Sequence, residues 1–274
     1  LLLCTHKLHE RTKHMLLHYG KSDVGMRRKI NQDSFKAVPI RNDDALLLIV
    51  CDGMGGHKAG EIASQTAVER FCAVVASRPC KAEDPLMRAD NIKNTLVAAV
   101  KEANETVYRL SLSAEEYHGM GTTLVAAIVS RGMLYAVNIG DSRLYLVTRH
   151  EAKQITRDHS FVQFLIQTGQ ITPEEARKNP RKNVITRAVG VASKTEVDFF
   201  NLNLRKWGSG YILLCTDGLT NYLDDNMLFE LIFNSREKVR PTPEQELSRK
   251  ADSLVSFANK SGGSDNITVL LAKF

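Results

Sequence analysis

Five aspartates stand where a carboxylate could be held rigidly for chemistry. Four lie at or beside the ends of apolar runs that predict buried strands, and the fifth lies in a short polar motif: Asp52, Asp141, Asp217, Asp265 and Asp33. Glycines directly follow Asp52 and Asp217, so the backbone there can turn sharply and approach a ligand. A single Asp-Gly pair after a strand is usually a plain turn, but here the pattern recurs along the chain.

Several carboxylates gathered at one edge of a core would repel one another unless a positive charge lay between them. Oxygen-only ligand sets suit Mg²⁺, Mn²⁺ or Ca²⁺ rather than zinc. The pattern therefore predicts a site for hard divalent cations. Arg28 precedes Asp33 closely enough to reach the same pocket, where its planar guanidinium group could bind a phosphate.

The elements that must position these residues follow from the apolar periodicity. Strands are predicted over 45–50, 124–129, 133–139, 143–147, 211–215 and 267–271. Asp141 is predicted to lie at a sheet edge, in the turn that leads from the strand at 133–139 into the strand at 143–147. Helices are predicted over 61–76, 161–167 and 225–233, around 96–110, and after capping boxes at Thr172 and Thr242.

Domain organisation follows from the same reading. Residues 15–274 are predicted to form a single domain, and residues 1–14 an extension that is unstructured or an artefact of the assigned start. The basic, irregular run at 179–183 indicates a flap at about 159–190, a kind of segment that often contacts substrate.

Composition excludes several classes of function. No apolar run approaches the roughly 20 residues of a membrane helix. The five cysteines show no metal-ligand spacing and are interpreted as reduced core thiols. With the short Leu1-Leu2-Leu3 start, these features favour a cytoplasmic protein without membrane insertion. The net charge of +6 comes from scattered Lys and Arg with only 7% aromatic residues, so nucleic acid is not the expected partner.

The ordered motifs of the whole domain resemble the metal-dependent type 2C (PPM) Ser/Thr protein phosphatases, in particular their bacterial branch. The motifs that carry the resemblance are Asn31-Gln32-Asp33-Ser34, Asp52-Gly53-Met54-Gly55-Gly56, Gly121-Thr122-Thr123, Gly140-Asp141-Ser142-Arg143, Asp158-His159-Ser160, Val184-Ile185-Thr186-Arg187-Ala188-Val189-Gly190, Thr216-Asp217-Gly218-Leu219 and Ser264-Asp265-Asn266-Ile267-Thr268. Met54 stands where eukaryotic members carry a histidine. Asn179 and Lys182 stand where bacterial relatives tend to have His and Arg.

The resemblance implies an α+β fold in which two antiparallel sheets form a β-sandwich flanked by helices, a four-layer αββα arrangement. It implies hydrolysis of phosphoserine and phosphothreonine by a hydroxide that bridges two Mn²⁺ or Mg²⁺ ions. The implied partners are phosphoproteins and a cognate bacterial Ser/Thr kinase, and the implied state is a monomer.

The resemblance also assigns roles to residues. Asp52 would bridge the two ions, the Gly53 carbonyl would bind one of them, and Asp217 and Asp265 would complete the protein ligands. Asp33 would hold metal-bound water, and Arg28 would bind the substrate phosphate. Asp141 would form a weaker third metal site together with Asp217.

Two other functions remain open from the sequence. The same fold could serve as a phosphoprotein-binding scaffold without catalysis, or as a hydrolase of small phosphate esters. The role of His159 is equally open, because it could belong to the site or could cap or pack at the start of its helix.

Overall fold

The computed structural model of the protein describes residues 16–40, 45–56, 58–78, 85–233 and 241–274. The extension predicted at 1–14 lies outside the described residues. The strands are β1 His18–Asp23, β2 Asp33–Ile40, β3 Ala45–Met54, β4 Gly121–Thr122, β5 Leu124–Ser130, β6 Met133–Ile139, β7 Arg143–Thr148, β8 Ala152–Gln154, β9 Asp198–Asn203, β10 Gly210–Cys215 and β11 Ile267–Lys273. The helices are α1 Ala59–Ser77, α2 Pro85–Ser111, α3 Phe161–Gln167, α4 Pro173–Lys178, α5 Asp217–Thr220, α6 Asp225–Phe233 and α7 Pro243–Lys260.

The strands form two antiparallel sheets. One sheet has the order β1-β11-β10-β7-β8, and the other has the order β2-β3-β5-β6-β9, with the short β4 paired to β3. One apolar cluster joins the two sheets and includes Leu48 and Val125 from one and Leu214 and Leu270 from the other. The sheets therefore pack face to face, as in a β-sandwich.

Helices cover both outer faces of the sandwich. The α1 and α2 pair buries residues such as Phe71 and Leu96 against the β3 and β5 side, whereas α6 and α7 bury residues such as Ile232 and Leu254 against β10 and β11. The four layers confirm the predicted α+β sandwich flanked by helices. No helix among the described residues is both long and apolar enough to cross a bilayer.

The alternation of side chains along the strands explains where polar residues gather. Leu46, Leu48 and Val50 point between the sheets, so Asp52, two residues further along β3, continues the same face. On the other strands of the inter-sheet cluster, the series of core-facing residues also continues to a polar residue near this end of the sandwich. The polar residues in phase with that cluster are Asp33, Asp52, Thr123, Asn138, Ser142, Thr216 and Thr268.

Most predicted elements are confirmed, including the hairpin of β5 and β6 and both capping boxes, at Thr172 and Thr242. The expectation for the link that contains Asp141 is wrong in one respect. The strands that it joins, β6 and β7, lie in different sheets and do not pair with each other. Asp141 therefore lies where the chain crosses from one sheet to the other.

Candidate active site

The centre of the candidate site is a pair of aspartates on neighbouring strands. Asp33 of β2 lies directly opposite Asp52 of β3 in the antiparallel register. Directly opposite residues have their side chains on the same face of a sheet, here the face between the two sheets. The pairing of β2 with β3 is therefore what brings two carboxylates together at the end of the inter-sheet core.

Backbone contacts fix Asp52 from the Gly121-Thr122-Thr123 motif. The Asp52 N–H donates to Thr123 Oγ1 at 2.8 Å, and the Asp52 carbonyl accepts from Thr122 Oγ1 and from the Thr123 N–H, both at 2.9 Å. The next residue must be a glycine, because a Cβ on Gly53 would lie 2.0 Å from the Gly60 carbonyl oxygen of α1. Asp52 is thus held by rigid main chain on both sides.

Asp33 is oriented by two threonines of the opposite sheet. Its Oδ2 accepts hydrogen bonds from Thr268 Oγ1 at 2.6 Å and from Thr216 Oγ1 at 2.9 Å. Its Oδ1 is buried and has no hydrogen-bond partner. The two hydroxyls therefore turn one carboxylate oxygen away and leave the other available to a ligand.

Asp217 and Asp265 are brought to the site by a tight approach of two loops. A Cβ on Gly218 would lie 2.0 Å from the Asn266 carbonyl oxygen, so only glycine permits this contact. Asp217 Oδ2 accepts from Asn221 Nδ2 at 3.1 Å, whereas its Oδ1 is buried without a partner. Asp217 and Asp33 thus each contribute a buried oxygen that needs a positive or donating neighbour.

Arg28 reaches the same site. Its Nη2 donates to Asp265 Oδ2 at 2.8 Å, and its side chain remains half exposed. Asn266 fixes the loop that carries Arg28, since its amide nitrogen donates to the Val24 and Ile30 carbonyls at 2.9 and 3.0 Å. The guanidinium group therefore lies at the solvent edge of the carboxylate cluster.

The electrostatics of the cluster are those of like charges buried together. Burial, followed by repulsion from neighbouring aspartates, raises the pKa of Asp33 to about 7 and that of Asp217 to about 6. Burial and the nearby carboxylates of Asp33 and Asp217 also raise the pKa of Asp52 well above its usual range. The acids would be ionised together at neutral pH only if cations lay among them.

The donor set fits hard divalent cations. It consists of carboxylate oxygens, two of them buried and unpartnered, together with the Gly53 carbonyl beside Asp52. In the described part of the chain, no three acidic, histidine or cysteine side chains converge closely enough to enclose an ion by themselves.

Asp141 and Asp217 both line a cavity of about 370 Å³. Burial raises the pKa of Asp141 to about 8, and repulsion from Asp217 adds to this effect. The cavity runs between the 159–190 segment, which contributes Lys182, and the α5–α6 region, which contributes Tyr222. The positive charge of Lys182 also lowers the pKa of Asp217 slightly against the larger effect of burial.

The structure brings all the predicted site residues together at one end of the sandwich, but it gives Asn179 a local role. The Asn179 side chain accepts from the Arg181 N–H at 2.9 Å and so forms a turn within its own loop. Sequence reasoning assigned no role to Thr216, Thr268 or Thr123, although each lies in a motif that it noted. The signal that could have identified them is the alternation along each strand, because every second residue faces the core and the next position in that series is a threonine.

The sequence of this chain is similar to those of known proteins over most of its length. A sequence profile for Protein phosphatase 2C matches residues 26–250. The chain is 40% identical over 253 residues to the serine/threonine phosphatase stp of Listeria monocytogenes, and the match covers 92% of this chain and 94% of the relative.

Solved structures agree in fold over nearly the whole chain. The crystal structure of the serine/threonine phosphatase Stp1 from Staphylococcus aureus is similar with a TM-score of 0.83 and 35% identity, and 95% of each chain is covered. The catalytic domain of the serine threonine protein phosphatase PstP, in complex with two manganese ions, is similar with a TM-score of 0.75 and 34% identity. That match covers 94% of this chain and 97% of PstP.

Proposed function

From the premise that this chain belongs to the protein phosphatase 2C family and is a hydrolase of phosphoserine and phosphothreonine, we propose that its activity depends on two Mn²⁺ or Mg²⁺ ions bound at the carboxylate cluster. The observation that carries the proposal is the pair of buried, unpartnered oxygens on Asp33 and Asp217 among acids whose pKa values are raised. The two manganese ions bound to PstP support it.

In this proposal Asp52 binds both ions, and the Gly53 carbonyl binds one of them. Asp217 and Asp265 supply the remaining protein ligands, and Asp33 acts through a bound water. The threonine hydroxyls on Asp33 Oδ2 support that last role, because they leave only Oδ1 to accept from a water. When bound, the ions supply an acidified water for attack and stabilise charge on the phosphoryl oxygens.

Arg28 binds and orients the phosphate of the substrate. Its guanidinium group lies at the solvent edge of the cluster, where it can exchange its bond to Asp265 for a bond to an incoming phosphate oxygen. Because Arg28 is attached to a loop that Asn266 holds, its approach direction is fixed relative to the acids. This geometry would orient the phosphorus for attack.

Asp141 and Asp217 would hold a third, weaker ion. Both line the cavity beside the 159–190 segment, which we propose is a flap that contacts the phosphoprotein. Lys182 lies on the cavity wall and brings positive charge close to Asp217. The substrate proteins would be those phosphorylated by a bacterial Ser/Thr kinase, and the enzyme would act as a monomer.

The experiment that tests the proposal is phosphate release from a phosphothreonine peptide with Mn²⁺, with Mg²⁺ and with chelator. Release is expected only with metal. Arg28→Ala should lower kcat/KM roughly 10- to 100-fold, mainly through KM, because a charge-assisted hydrogen bond to phosphate is lost. Arg27→Ala, on the same loop, is the matched control and should behave like the wild type.

Sugar phosphates assayed in parallel distinguish a small-ester hydrolase from a protein phosphatase. Equal or faster turnover of the sugar phosphates would contradict the choice of substrate. Full activity in chelator would contradict the metal proposal, and metal binding without any turnover would favour a phosphoprotein-binding scaffold instead.

A further inference from the structure

His159 lies where the 159–190 segment leaves the sandwich, and it is 7% exposed. Its backbone joins two parts of the molecule. The His159 N–H donates to the Gly140 carbonyl at 2.9 Å, and the His159 carbonyl accepts from the Thr186 N–H at 2.8 Å. The residue therefore connects the returning end of the segment to the link that carries Asp141.

The imidazole ring also contacts Gly140. The Gly140 N–H donates to His159 Nδ1 at 3.2 Å, so Nδ1 must be unprotonated. The proton of the neutral ring is then on Nε2, which lies 3.3 Å from Asp198 Oδ2. Arg187 Nη1 lies 3.3 Å from Asp198 Oδ1 and completes a cluster that fixes the ring. Burial lowers the pKa of His159 against the effect of Asp198, which favours the neutral ring over the charged one.

Gly140 is therefore held at both of its backbone polar groups by one residue. Asn138 Nδ2 adds a longer bond of 3.3 Å to the same carbonyl. The Gly140 carbonyl shares a rigid peptide plane with the nitrogen of Asp141, so fixing that oxygen fixes where the Asp141 backbone begins. Gly140 has a φ of +102°, and a Cβ there would lie 2.6 Å from the Thr123 side chain. The His159 main chain thus holds the carbonyl side of Gly140 and the ring holds its N–H side, so the peptide planes on both sides of Gly140, and with them the path into Asp141, are fixed by this one residue.

We infer that His159 is a positioning residue for Asp141. His159 acts through its Nδ1, which accepts the hydrogen bond from the Gly140 N–H. The inference rests on the proposed function, because it assigns Asp141 to a metal ion. It differs from a purely structural role, in which the ring would matter for its packing and for its contact with Asp198. The two roles depend on different nitrogens of the same ring.

Two amide substitutions separate the nitrogens. In His159→Asn the side-chain oxygen can occupy the position of Nδ1 and accept from Gly140, but it cannot reach Asp198. In His159→Gln the amide can reach Asp198, but no acceptor remains beside Gly140. If His159 positions Asp141, His159→Asn should preserve Mn²⁺ binding. If its role is purely structural, His159→Gln should preserve it instead.

The test is calorimetric titration of the full chain with Mn²⁺, with Asp141→Asn used to identify the ion that depends on Asp141. His159→Gln should weaken binding of that ion roughly tenfold, as is typical when a ligand loses its supporting contact, whereas His159→Asn should stay close to the wild type. The double variant with His159→Gln and Asp141→Asn should match Asp141→Asn alone, because both changes act on one interaction.

Thermal unfolding in chelator checks that each variant folds. If His159→Gln does not fold, His159→Asn alone decides: retained Mn²⁺ affinity supports the inference, and lost affinity overturns it. Wild-type affinity in His159→Gln, while Asp141→Asn loses an ion, would overturn the inference and leave the proposed function standing. Unchanged Mn²⁺ binding in Asp141→Asn would overturn the metal role of Asp141 and the inference with it.

Discussion

Two charged clusters in this protein show opposite ways of placing ionisable groups near a core. Around Asp33, Asp52 and Asp217 most of the neighbouring charges are negative, with Arg28 and Lys182 only at the margin, and each pKa is raised by burial and repulsion. Around Glu246, on α7, a carboxylate meets Lys273 Nζ at 2.9 Å and Lys250 Nζ at 3.7 Å, and Tyr211 donates to it. Burial opposes ionisation of Glu246, but these partners outweigh it and lower its pKa.

The difference shows which cluster the chain completes by itself. The Glu246 cluster contains its own counter-charges, and the buried Lys250 also donates to the Ile232 carbonyl at the end of α6. It therefore fastens α6 and α7 to the sheet and needs no ligand. The aspartate cluster lacks such balance and is costly as an apo site, since unpaired buried charge opposes folding. In the proposed function, an incoming cation supplies the missing charge and offsets that cost.

The largest contrast should come from neutralising one acid in each cluster. Asp52→Asn is expected to lower kcat/KM roughly 1,000-fold, because it removes a carboxylate from the proposed metal centre. The same change should raise the Tm of the chelator-treated protein by about 3 °C, because it removes a buried acid whose raised pKa opposes folding at neutral pH. Glu246→Gln should do the reverse, with lower Tm and unchanged turnover. Phosphate release and thermal unfolding measure both, and loss of stability in Asp52→Asn would break the comparison.

A pH series tests the same contrast without mutation. A raised pKa in the folded state means that the folded protein binds protons more tightly than the unfolded chain, so this stability is lost as pH rises through the folded pKa. The pKa values of Asp217, Asp33 and Asp141 are raised to about 6, 7 and 8. We therefore expect the Tm in chelator to fall between about pH 5 and pH 8. Saturating Mn²⁺ should flatten or invert the slope. A flat Tm profile in chelator would contradict the raised pKa values.

A smaller effect is expected from the threonines that orient Asp33. Thr268→Val removes a hydroxyl that stabilises the ionised carboxylate, so the pKa of Asp33 should rise further and the acidic limb of kcat/KM should move to higher pH. The loss in kcat/KM should be roughly tenfold, in keeping with a hydrogen bond to a charged group. Thr268→Ser keeps the hydroxyl and should behave like the wild type. An unshifted limb in the valine variant would show that Thr268 does not act through Asp33.

The smallest effect belongs to the balanced cluster. Lys273→Met removes one of two lysines beside Glu246 and should cost about 0.5–1 kcal/mol of stability, because the lysine is partly exposed to solvent. Denaturant unfolding would measure this cost. Turnover should not change, and a loss of turnover would mean that the two clusters are coupled through β11.

Most of the acids could be identified from the sequence, because their positions beside apolar runs are visible without knowing which strands pair with each other. Sequence reasoning did not predict β2 or β9, since their residues alternate weakly and their partners lie far away in the chain. The opposition of Asp33 and Asp52 was therefore invisible, because it depends on the register of β2 against β3. The change of sheet at Asp141 was missed for a related reason. A short polar link between two strands predicts a turn at the edge of one sheet, whether or not the two strands belong to the same sheet.

The register of β2 and β3 has a consequence for how this enzyme can fail. A slip of β2 by one residue would turn Asp33 away from Asp52, and it would also turn Phe35 and Ala37, which share the face of Asp33 on β2, away from the core between the sheets. The geometry of the acids and the burial of the core therefore depend on the same register of β2 against β3. A misaligned chain would lose its fold along with its acids, so we expect the cell to meet few copies that are well folded yet inert.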